Sequence, residues 1–231
     1  MNLFYSNFNN SDSDIILDEI DSKHLSKSLR KKVGDIIRIT NGNGLEIKGK
    51  IIRLGKNIKV NVINRVKHKK KDLLIHIAMS PLKNQSRFEW FVEKSTEIGI
   101  SEITPLITKF SEKKKVNVSR LNKIVISSMK QSNQFYLPKV NQITSFDEFL
   151  KLNKDYKLIA HLKNNNRFNK KSIGNKDKIV VMIGPEGGFS KEEILKANKD
   201  KIKEISFGKN RFRSETAGVF AVSIINNYKN L

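Results

Sequence analysis

The chain has 231 residues, enough for one large or two small domains with a sizeable hydrophobic core. Its 45 Lys and Arg against 23 Asp and Glu leave a formal charge of +22, which favours a polyanionic partner such as RNA or DNA, although a genome biased towards Lys and Asn is the alternative. The absence of Cys excludes disulfides and thiolate metal sites, and no apolar run reaches the roughly 18 to 20 residues of a membrane helix, so with no signal-peptide pattern we expect a cytoplasmic protein without membrane contact.

The first 66 residues alternate short β-type runs with turn residues. The runs are DIIRI, LEIKGKIIRL and IKVNVI, and the turn TNGNG (Thr40 to Gly44) between the first two predicts a hairpin. This pattern predicts a small β-barrel or sandwich. The segment RVKHKKKD (65–72) reads as a charged joint, so we place a domain boundary there, with domains 1–72 and 73–231.

After residue 72 short apolar runs alternate with helical periodicity. One predicted helix covers 87–98, with a capping box from Ser86 to Glu89 and a stop at Gly99, and another begins at 119. Continuous apolar runs predict buried strands at 73–79, 100–107, 156–162 and 178–183. Strands that alternate with helices predict an α/β domain with a mostly parallel sheet covered on both faces.

The stretch IGPEGGFSKEEI interrupts a predicted strand with Gly184, Pro185, Glu186, Gly187 and Gly188. A second capping box, from Ser190 to Glu193, predicts that a helix follows at once. Ligands of open parallel sheets lie beyond the carboxyl ends of the strands, and glycines there let a ligand approach the backbone. The phosphate-binding patterns GxxxxGK[ST] and GxGxxG are absent, and a tight turn without a ligand is the alternative.

A second strand–turn–helix unit follows directly. The strand EISFG (204–208) leads through KNRFR into a helix that starts at SETAGVFAV, so Arg211, Arg213, Glu215 and Thr216 occupy the turn and the helix start. Both units place a Gly at the carboxyl end of a strand near polar side chains. Solvent-exposed arginines and a Glu that interacts with the helix dipole are the ordinary alternative.

These paired segments resemble the C-terminal motifs of the ribosomal RNA small subunit methyltransferase E family, in the SPOUT class of S-adenosylmethionine-dependent RNA methyltransferases. The similarity extends to RFEWFVEKSTEIGISEITPL (87–106), to RLNKIVISSMKQS and to HLSKSLRKKVGD (24–35), and so to nearly the whole chain. The chain departs from the family pattern at two places. Asn2 and Leu3 precede the first aromatic pair where the family often has an Arg, and Asn133 and Gln134 stand where it often has a Gly-Arg pair. Both departures remove a positive group that would meet RNA.

The resemblance implies a PUA-like β-barrel that docks RNA, followed by a trefoil-knotted α/β domain that binds S-adenosyl-L-methionine and forms a homodimer. Two walls of the cofactor site would be the Gly184–Gly188 turn and the 207–213 turn, and the end of strand 156–162 would supply the third. The residues expected to bind the cofactor are His161, Leu162, Ile183, Gly184, Pro185, Glu186, Gly187, Gly188, Phe207, Gly208, Asn210, Arg211, Phe212, Thr216 and Ala217.

The product that the resemblance implies is N3-methyluridine in small-subunit (16S) ribosomal RNA near the decoding region, made on the assembled subunit. Arg211 or Arg213 would stabilise negative charge on the uracil oxygens, and Glu215 would orient that Arg or simply cap the helix. The general base is not assigned. The four His residues are scattered without metal spacing, so no metal is expected. A non-catalytic PUA-type RNA-binding protein and a knotted methyltransferase of transfer RNA are the alternatives.

Overall fold

The chain forms two compact units, each with its own sheet. The computed structural model describes residues 2–152, 155–161 and 166–230, without the side chains of 229 and 230. The first unit comprises Met1–Lys70 and Ile126–Leu137, and the second comprises Lys71–Val125 and Pro138–Leu231. The domain division at 72 stays a prediction, to which the structure adds that 126–137 belongs with the N-terminal unit.

Five strands form the sheet of the first unit, in the order β1-β3-β4-β5-β2. They are β1 Leu3–Tyr5, β2 Asp14–Ile16, β3 Ile36–Thr40, β4 Leu45–Arg53 and β5 Lys59–Lys67. The predicted hairpin around TNGNG is confirmed, since β3 and β4 pair antiparallel. Residues 65–67 are the end of β5 rather than part of a charged joint, because they pair with β4.

The two edge strands of this sheet come together. The Ser6 hydroxyl, just after β1, donates a hydrogen bond of 2.8 Å to the carbonyl of Ile16, the last residue of β2. The sheet therefore curls towards closure, in agreement with the predicted PUA-like barrel. A helix α1 (Glu19–Lys23) runs directly into a π-helical turn (His24–Ser28) on this unit. The buried core consists of Phe4, Phe8, Ile15, Leu17, Leu25, Ile37, Ile39, Leu45, Ile47, Ile51, Ile58 and Val60.

The glycine at the end of the β3–β4 turn has a tertiary role beyond the hairpin. Gly44 has φ +84°, and a Cβ there would overlap the hydroxyl of Tyr136. The Gly44 N–H donates to the carbonyl of Phe135 at 2.8 Å, and the Tyr136 hydroxyl donates to the carbonyl of His68 at 2.9 Å. Gly44 thus allows the 126–137 segment to pack on the turn.

Parallel strands form the sheet of the second unit, in the order β12-β10-β11-β6-β7-β8, with β9 pairing further along β7. The strands are β6 Leu74–Met79, β7 Glu102–Ile107, β8 Lys139–Val140, β9 Thr144–Ser145, β10 Tyr156–Ala160, β11 Lys178–Ile183 and β12 Lys203–Ile205. The predicted parallel α/β sheet is confirmed. The predicted strand 204–208 is shorter, and Ser206 makes only an isolated bridge with Arg167. The trefoil knot stays a prediction.

The helices that follow these strands are α2 Gln85–Ile98, α3 Val118–Gln131, α4 Phe146–Leu152, α5 Lys191–Lys199 and α6 Ser214–Asn230, and Lys170–Ser172 forms a 3-10 turn. The predicted capping box of α2 is wrong. The cap is Asn84, whose side chain accepts from the Ser86 N–H, while the Glu89 carboxylate accepts from Arg120. Gly99 ends α2 in the left-handed region, as predicted. In the described ranges no helix combines the length and the apolar character needed to cross a membrane.

A buried histidine lies in the middle of the parallel sheet. His76 on β6 is fully buried, its Nε2 lies 2.7 Å from the Thr104 hydroxyl, and its Nδ1 lies 3.7 Å from the Glu102 carboxylate. The Lys178 ammonium is 3.0 Å from both Glu102 and Asp155. Burial lowers the pKa of His76 from 6.5 to about 4, although Glu102 opposes this shift. His76 is therefore neutral in the folded protein at neutral pH.

We expect this histidine to make the protein less stable in mild acid. The folded pKa lies below the unfolded value of 6.5, so the unfolded chain binds the extra proton first, and stability is lost as pH falls from 6.5 towards 4. In His76→Gln that contribution is absent. The difference in unfolding free energy between wild type and variant, from urea titrations, should shrink by up to roughly 3 kcal/mol across this range. A difference that stays constant with pH would contradict the shifted pKa.

Candidate functional site

A cavity of about 860 Å³ opens at the carboxyl ends of β10, β11 and β12, which are neighbours in the sheet. Its volume lies within the usual range for sites of small molecules and cofactors, roughly 300 to 1,000 Å³. Parallel strands bring their carboxyl ends to one edge, so segments distant in sequence meet there. Every lining residue belongs to the second unit.

One wall of the cavity is the glycine turn after β11. The N–H of Gly188 donates to the carbonyl of Pro185 at 2.8 Å, and Gly188 has φ +74°. A Cβ on Gly184 would lie 2.8 Å from the carbonyl carbon of Gly188 and 3.0 Å from its oxygen. The turn folds back on itself so closely that no side chain fits at 184. The backbone therefore forms this wall itself.

The exit of the turn is held by the start of α5. The predicted capping box is confirmed, since Ser190 accepts from the Glu193 N–H at 3.2 Å and Glu193 accepts from the Ser190 N–H at 2.8 Å. The other carboxylate oxygen of the buried Glu193 accepts from the Lys109 N–H at 2.8 Å. One carboxylate thus joins the loop after β7 to the end of the glycine turn.

The second wall is the turn before α6, and its two arginines differ in their surroundings. The Arg211 guanidinium donates to the carbonyl of Glu186 at 3.2 Å and so connects the two turns. The Arg213 side chain is exposed and makes no hydrogen bond or ion pair with any residue that the structure describes. Arg213 directly precedes α6, as predicted, and its carbonyl accepts from the Ala217 N–H at 2.8 Å. Among the described residues, nothing therefore occupies its guanidinium, which is available to a ligand.

The carboxylate of Glu215 lies in the cavity wall but does not pair with either of these arginines. Glu215 is buried, and its Oε1 lies 3.7 Å from Nε of Arg87 in the first turn of α2. The expectation that Glu215 orients Arg211 or Arg213 is therefore not what the structure shows. The partner comes from a helix far earlier in the chain, so no local pattern pointed to it.

His161, directly after β10, forms part of a third wall. The ring Nδ1 of His161 lies 3.0 Å from the Glu204 carboxylate on β12. The backbone N–H of His161 donates to the carbonyl of Ile205, on the same strand, at 2.8 Å. The ring is thus held between two neighbouring strands. Within the described ranges no group of three or more His, Asp or Glu residues is placed to hold a metal ion, and the absence of a metal stays a prediction.

Most of the residues expected in the site line this one cavity. They are His161, Ile183, Gly184, Pro185, Glu186, Gly187, Gly188, Phe207, Asn210, Arg211, Phe212, Arg213, Glu215 and Ala217. Gly208 and Thr216 are not among the lining residues; Thr216 is exposed. Leu162 lies outside the described residues.

Sequence reasoning missed the other lining residues, which are Arg87, Ala160, Phe189, Lys191, Ile194, Leu195, Ile205, Ser206 and Ser214. Ile194 and Leu195 follow Lys191 by three and four residues, a helical spacing that could have indicated a common face of α5. Ala160 and Ile205 end their strands and could have been found from the sheet edge. Lys191 places an ammonium-bearing residue at the cavity although the glycine turn itself contains no Lys.

Comparisons with known proteins match both units. A family model described as an RNA methyltransferase domain matches residues 69–226, and one described as an RNA methyltransferase PUA domain matches 17–63. The chain is 33% identical to ribosomal RNA small subunit methyltransferase E of Rickettsia conorii, over 84% of this chain and 82% of that protein. It is 32% identical to the protein of the same name from Mesomycoplasma hyopneumoniae, over 75% of this chain and 79% of the other.

A solved structure agrees with these matches. The crystal structure of ribosomal RNA small subunit methyltransferase E from Neisseria gonorrhoeae, bound to S-adenosylmethionine, superposes with a TM-score of 0.86 at 25% identity. The superposition covers 98% of this chain and 97% of the other. The similarity therefore includes both units and the sheet edge at which the cavity lies.

Proposed function

Since the chain belongs to the ribosomal RNA small subunit methyltransferase E family and is an S-adenosylmethionine-dependent rRNA methyltransferase, we propose that it methylates N3 of a uridine near the decoding region. The observation that carries the proposal is the cavity of the second unit. It combines a backbone wall at Gly184–Gly188 with the guanidinium of Arg213, which pairs with none of the described residues. The first feature suits a cofactor that is read through the backbone, and the second suits a substrate that gains negative charge.

The lining of the cavity fits S-adenosylmethionine. Apolar side chains that suit an adenosine ring come from three segments, at Ile183, Ile194, Leu195, Ile205, Phe207 and Phe212. Nothing lies within 4 Å of the position that a Cβ on Gly188 would take, so a ligand can approach the backbone of this turn closely. When bound, the cofactor supplies a methyl group made electrophilic by the sulfonium sulfur.

The protein's own part in catalysis is to hold the uridine and to stabilise charge. Uracil N3 carries a proton that must leave, and negative charge then develops on the neighbouring oxygens. Arg213 presents a planar cation with several N–H donors at the cavity, and such a donor stabilises charge that grows in the transition state. Arg211, which already donates to the carbonyl of Glu186, would hold the two turns together while it contacts the ligand.

The Arg87–Glu215 pair has a supporting part in this proposal. Its carboxylate is buried in the cavity wall, and a buried carboxylate without a partner would be costly. Arg87 compensates that charge from α2 and so helps to hold the Glu215 carboxylate in the cavity wall. We assign no general base.

The first unit would dock the RNA. Exposed basic residues lie along β4 and β5, at Lys48, Lys50, Arg53 and Lys67. Contacts of this kind position a protein on phosphates without reading sequence. We propose residues 1–72 as this docking domain, the assembled small subunit as the substrate, and a homodimer as the active form.

The reaction itself is tested on ribosomal subunits from a strain that lacks the gene. The purified protein and S-adenosylmethionine should add one methyl group to the small-subunit RNA. Digestion and mass spectrometry should identify N3-methyluridine near the decoding region, with assembled subunits methylated faster than free RNA. Methylation of transfer RNA in their place, or of a ribose, would contradict the proposed acceptor.

The glycine wall predicts a loss of cofactor binding in Gly184→Ala. The added Cβ meets the backbone of Gly188 at 2.8 Å, and no rotamer change can relieve a contact with backbone atoms. The turn must shift, and titration calorimetry with S-adenosylmethionine should show binding weakened by at least roughly tenfold, about 1.4 kcal/mol.

Gly55→Ala is the matched control for this substitution. Gly55 has φ +152° and no atom within 4 Å of its Cβ position, so the change costs stability without touching the cavity. It should bind the cofactor like wild type. Unchanged binding in Gly184→Ala would show that the cofactor does not contact this wall.

Because the Arg213 guanidinium has no partner among the described residues, we expect Arg213→Ala to impair catalysis without impairing cofactor binding. Loss of one transition-state donor typically lowers the rate by about 100-fold or more. Single-turnover methylation should fall by that amount, while cofactor affinity and melting temperature change little, because Arg213 has no side-chain partner among the described residues. Arg213→Lys should restore part of the rate, since an ammonium lacks the planar fork. Loss of cofactor binding or of folding would instead assign Arg213 a structural role.

A further inference from the structure

An exposed aromatic side chain lies on a firmly held loop beside the cavity. Phe110 follows β7 and is 47% exposed. Its neighbours are fixed, because the Thr108 N–H donates to the Ser111 hydroxyl at 2.9 Å and the Ser111 N–H donates to the carbonyl of Thr108 at 3.1 Å. The Lys109 N–H donates to the buried Glu193 at 2.8 Å. The backbone thus presents a large apolar ring to solvent from a preorganised position.

The ring lies against the outside of the glycine wall. A Cβ on Gly187 would be 3.2 Å from Cβ of Phe110 and 3.5 Å from Cγ of its ring. Gly187 lines the cavity, and the preceding residue, Glu186, accepts a hydrogen bond from Arg211 through its carbonyl. The aromatic ring and the guanidinium therefore contact two consecutive residues of the turn, Gly187 and Glu186.

The surroundings of Phe110 favour an anionic partner. Lys109 pairs with Glu192 at 3.0 Å but remains half exposed, and Lys113, Lys114 and Lys115 follow in the same loop as exposed residues. An apolar ring among cations suits a nucleobase with its phosphates, because every base offers a flat face for stacking and its backbone carries negative charge.

We propose that Phe110 stacks on an unpaired base of the RNA substrate at the mouth of the cavity. This inference rests on the proposed function, since it assigns a contact to the RNA of that same reaction. Stacking would hold the strand while the neighbouring cavity takes the uridine to be methylated. Arg211 would stand across the turn from the stacked base.

Three substitutions separate stacking from other roles of the ring. Phe110→Ala removes the ring, Phe110→Leu keeps an apolar side chain without an aromatic face, and Phe110→Tyr keeps that face. Methylation of small subunits at saturating S-adenosylmethionine should show KM for the RNA raised by roughly tenfold or more in the Ala and Leu variants. Phe110→Tyr should stay close to wild type, and cofactor affinity should not change in any of the three.

A matched control removes exposed apolar surface elsewhere in the same unit. Leu152, the last residue of α4, is 67% exposed and does not line the cavity. Leu152→Ala should leave KM for the RNA unchanged. A rise in KM equal to that of Phe110→Ala would show a general surface effect and overturn the proposal.

The remaining outcomes are also decisive. An unchanged KM in Phe110→Ala, or a Leu variant equal to the Tyr variant, would overturn stacking while the proposed function stands. A shift in oligomeric state of Phe110→Ala in sedimentation would mean that a second copy of the chain covers the ring, and would overturn it too. If the wild-type protein binds no S-adenosylmethionine or methylates no small-subunit RNA, the proposed function fails, and this inference fails with it.

Discussion

The close approach of Gly184 to Gly188 is the contact on which the rest of the site depends. Because Gly184 has no side chain, the backbone after β11 can fold back onto Gly188, and this turn lines the cavity at the sheet edge. The same turn delivers the chain to the capped start of α5, where Glu193 holds the loop after β7. The Arg211 guanidinium closes the arrangement from the other turn through the carbonyl of Glu186. Several elements are thus positioned by one compact piece of backbone.

The cations at this edge divide by how they are compensated. The charge of Arg87 is taken up by Glu215, and Arg211 donates to a backbone carbonyl, whereas Arg213 has no side-chain partner in the ranges that the structure describes. A guanidinium without a partner at the mouth of a cavity keeps its full capacity for an incoming anion or oxyanion. Among the three arginines of the cavity, this difference distinguishes the residue that we assign to the reaction.

The polar interior of the sheet has a different role. His76 is held neutral by burial in the central strand, and Glu102 is compensated by Lys178. His76 lies on β6 and Glu102 on β7, strands from which none of the lining residues of the cavity come, so the two groups bear on stability and on the alignment of the strands. Acid sensitivity of folding would therefore be separate from the chemistry of the cavity. The two properties can be measured independently.

Sequence patterning was sufficient where the signal is local. The alternation of apolar runs and helices predicted the parallel sheet, and the spacing of Ser190 and Glu193 predicted the start of α5, because capping and periodicity act within a few residues. The cap of α2 was misassigned because Asn84 and Ser86 are both good capping residues. In the folded chain Asn84 caps the helix, and Glu89 pairs with Arg120 instead of with Ser86. The prediction that the two turns form one site came from the resemblance to the family and not from periodicity.

The β3–β4 hairpin, the longer strands and helices of the second unit, the two glycine-containing turns and the resemblance to the family could all be read from the amino-acid sequence, whereas the short elements β8, β9 and α4 could not. The tertiary structure alone decided which side chains meet. It paired Arg87 with Glu215, placed Phe110 against Gly187, and packed Tyr136 against Gly44. Each of these contacts joins residues far apart along the chain, and their geometry follows from how whole elements pack. No pattern within a few residues encodes such a contact, because its partners become neighbours only after the chain has folded.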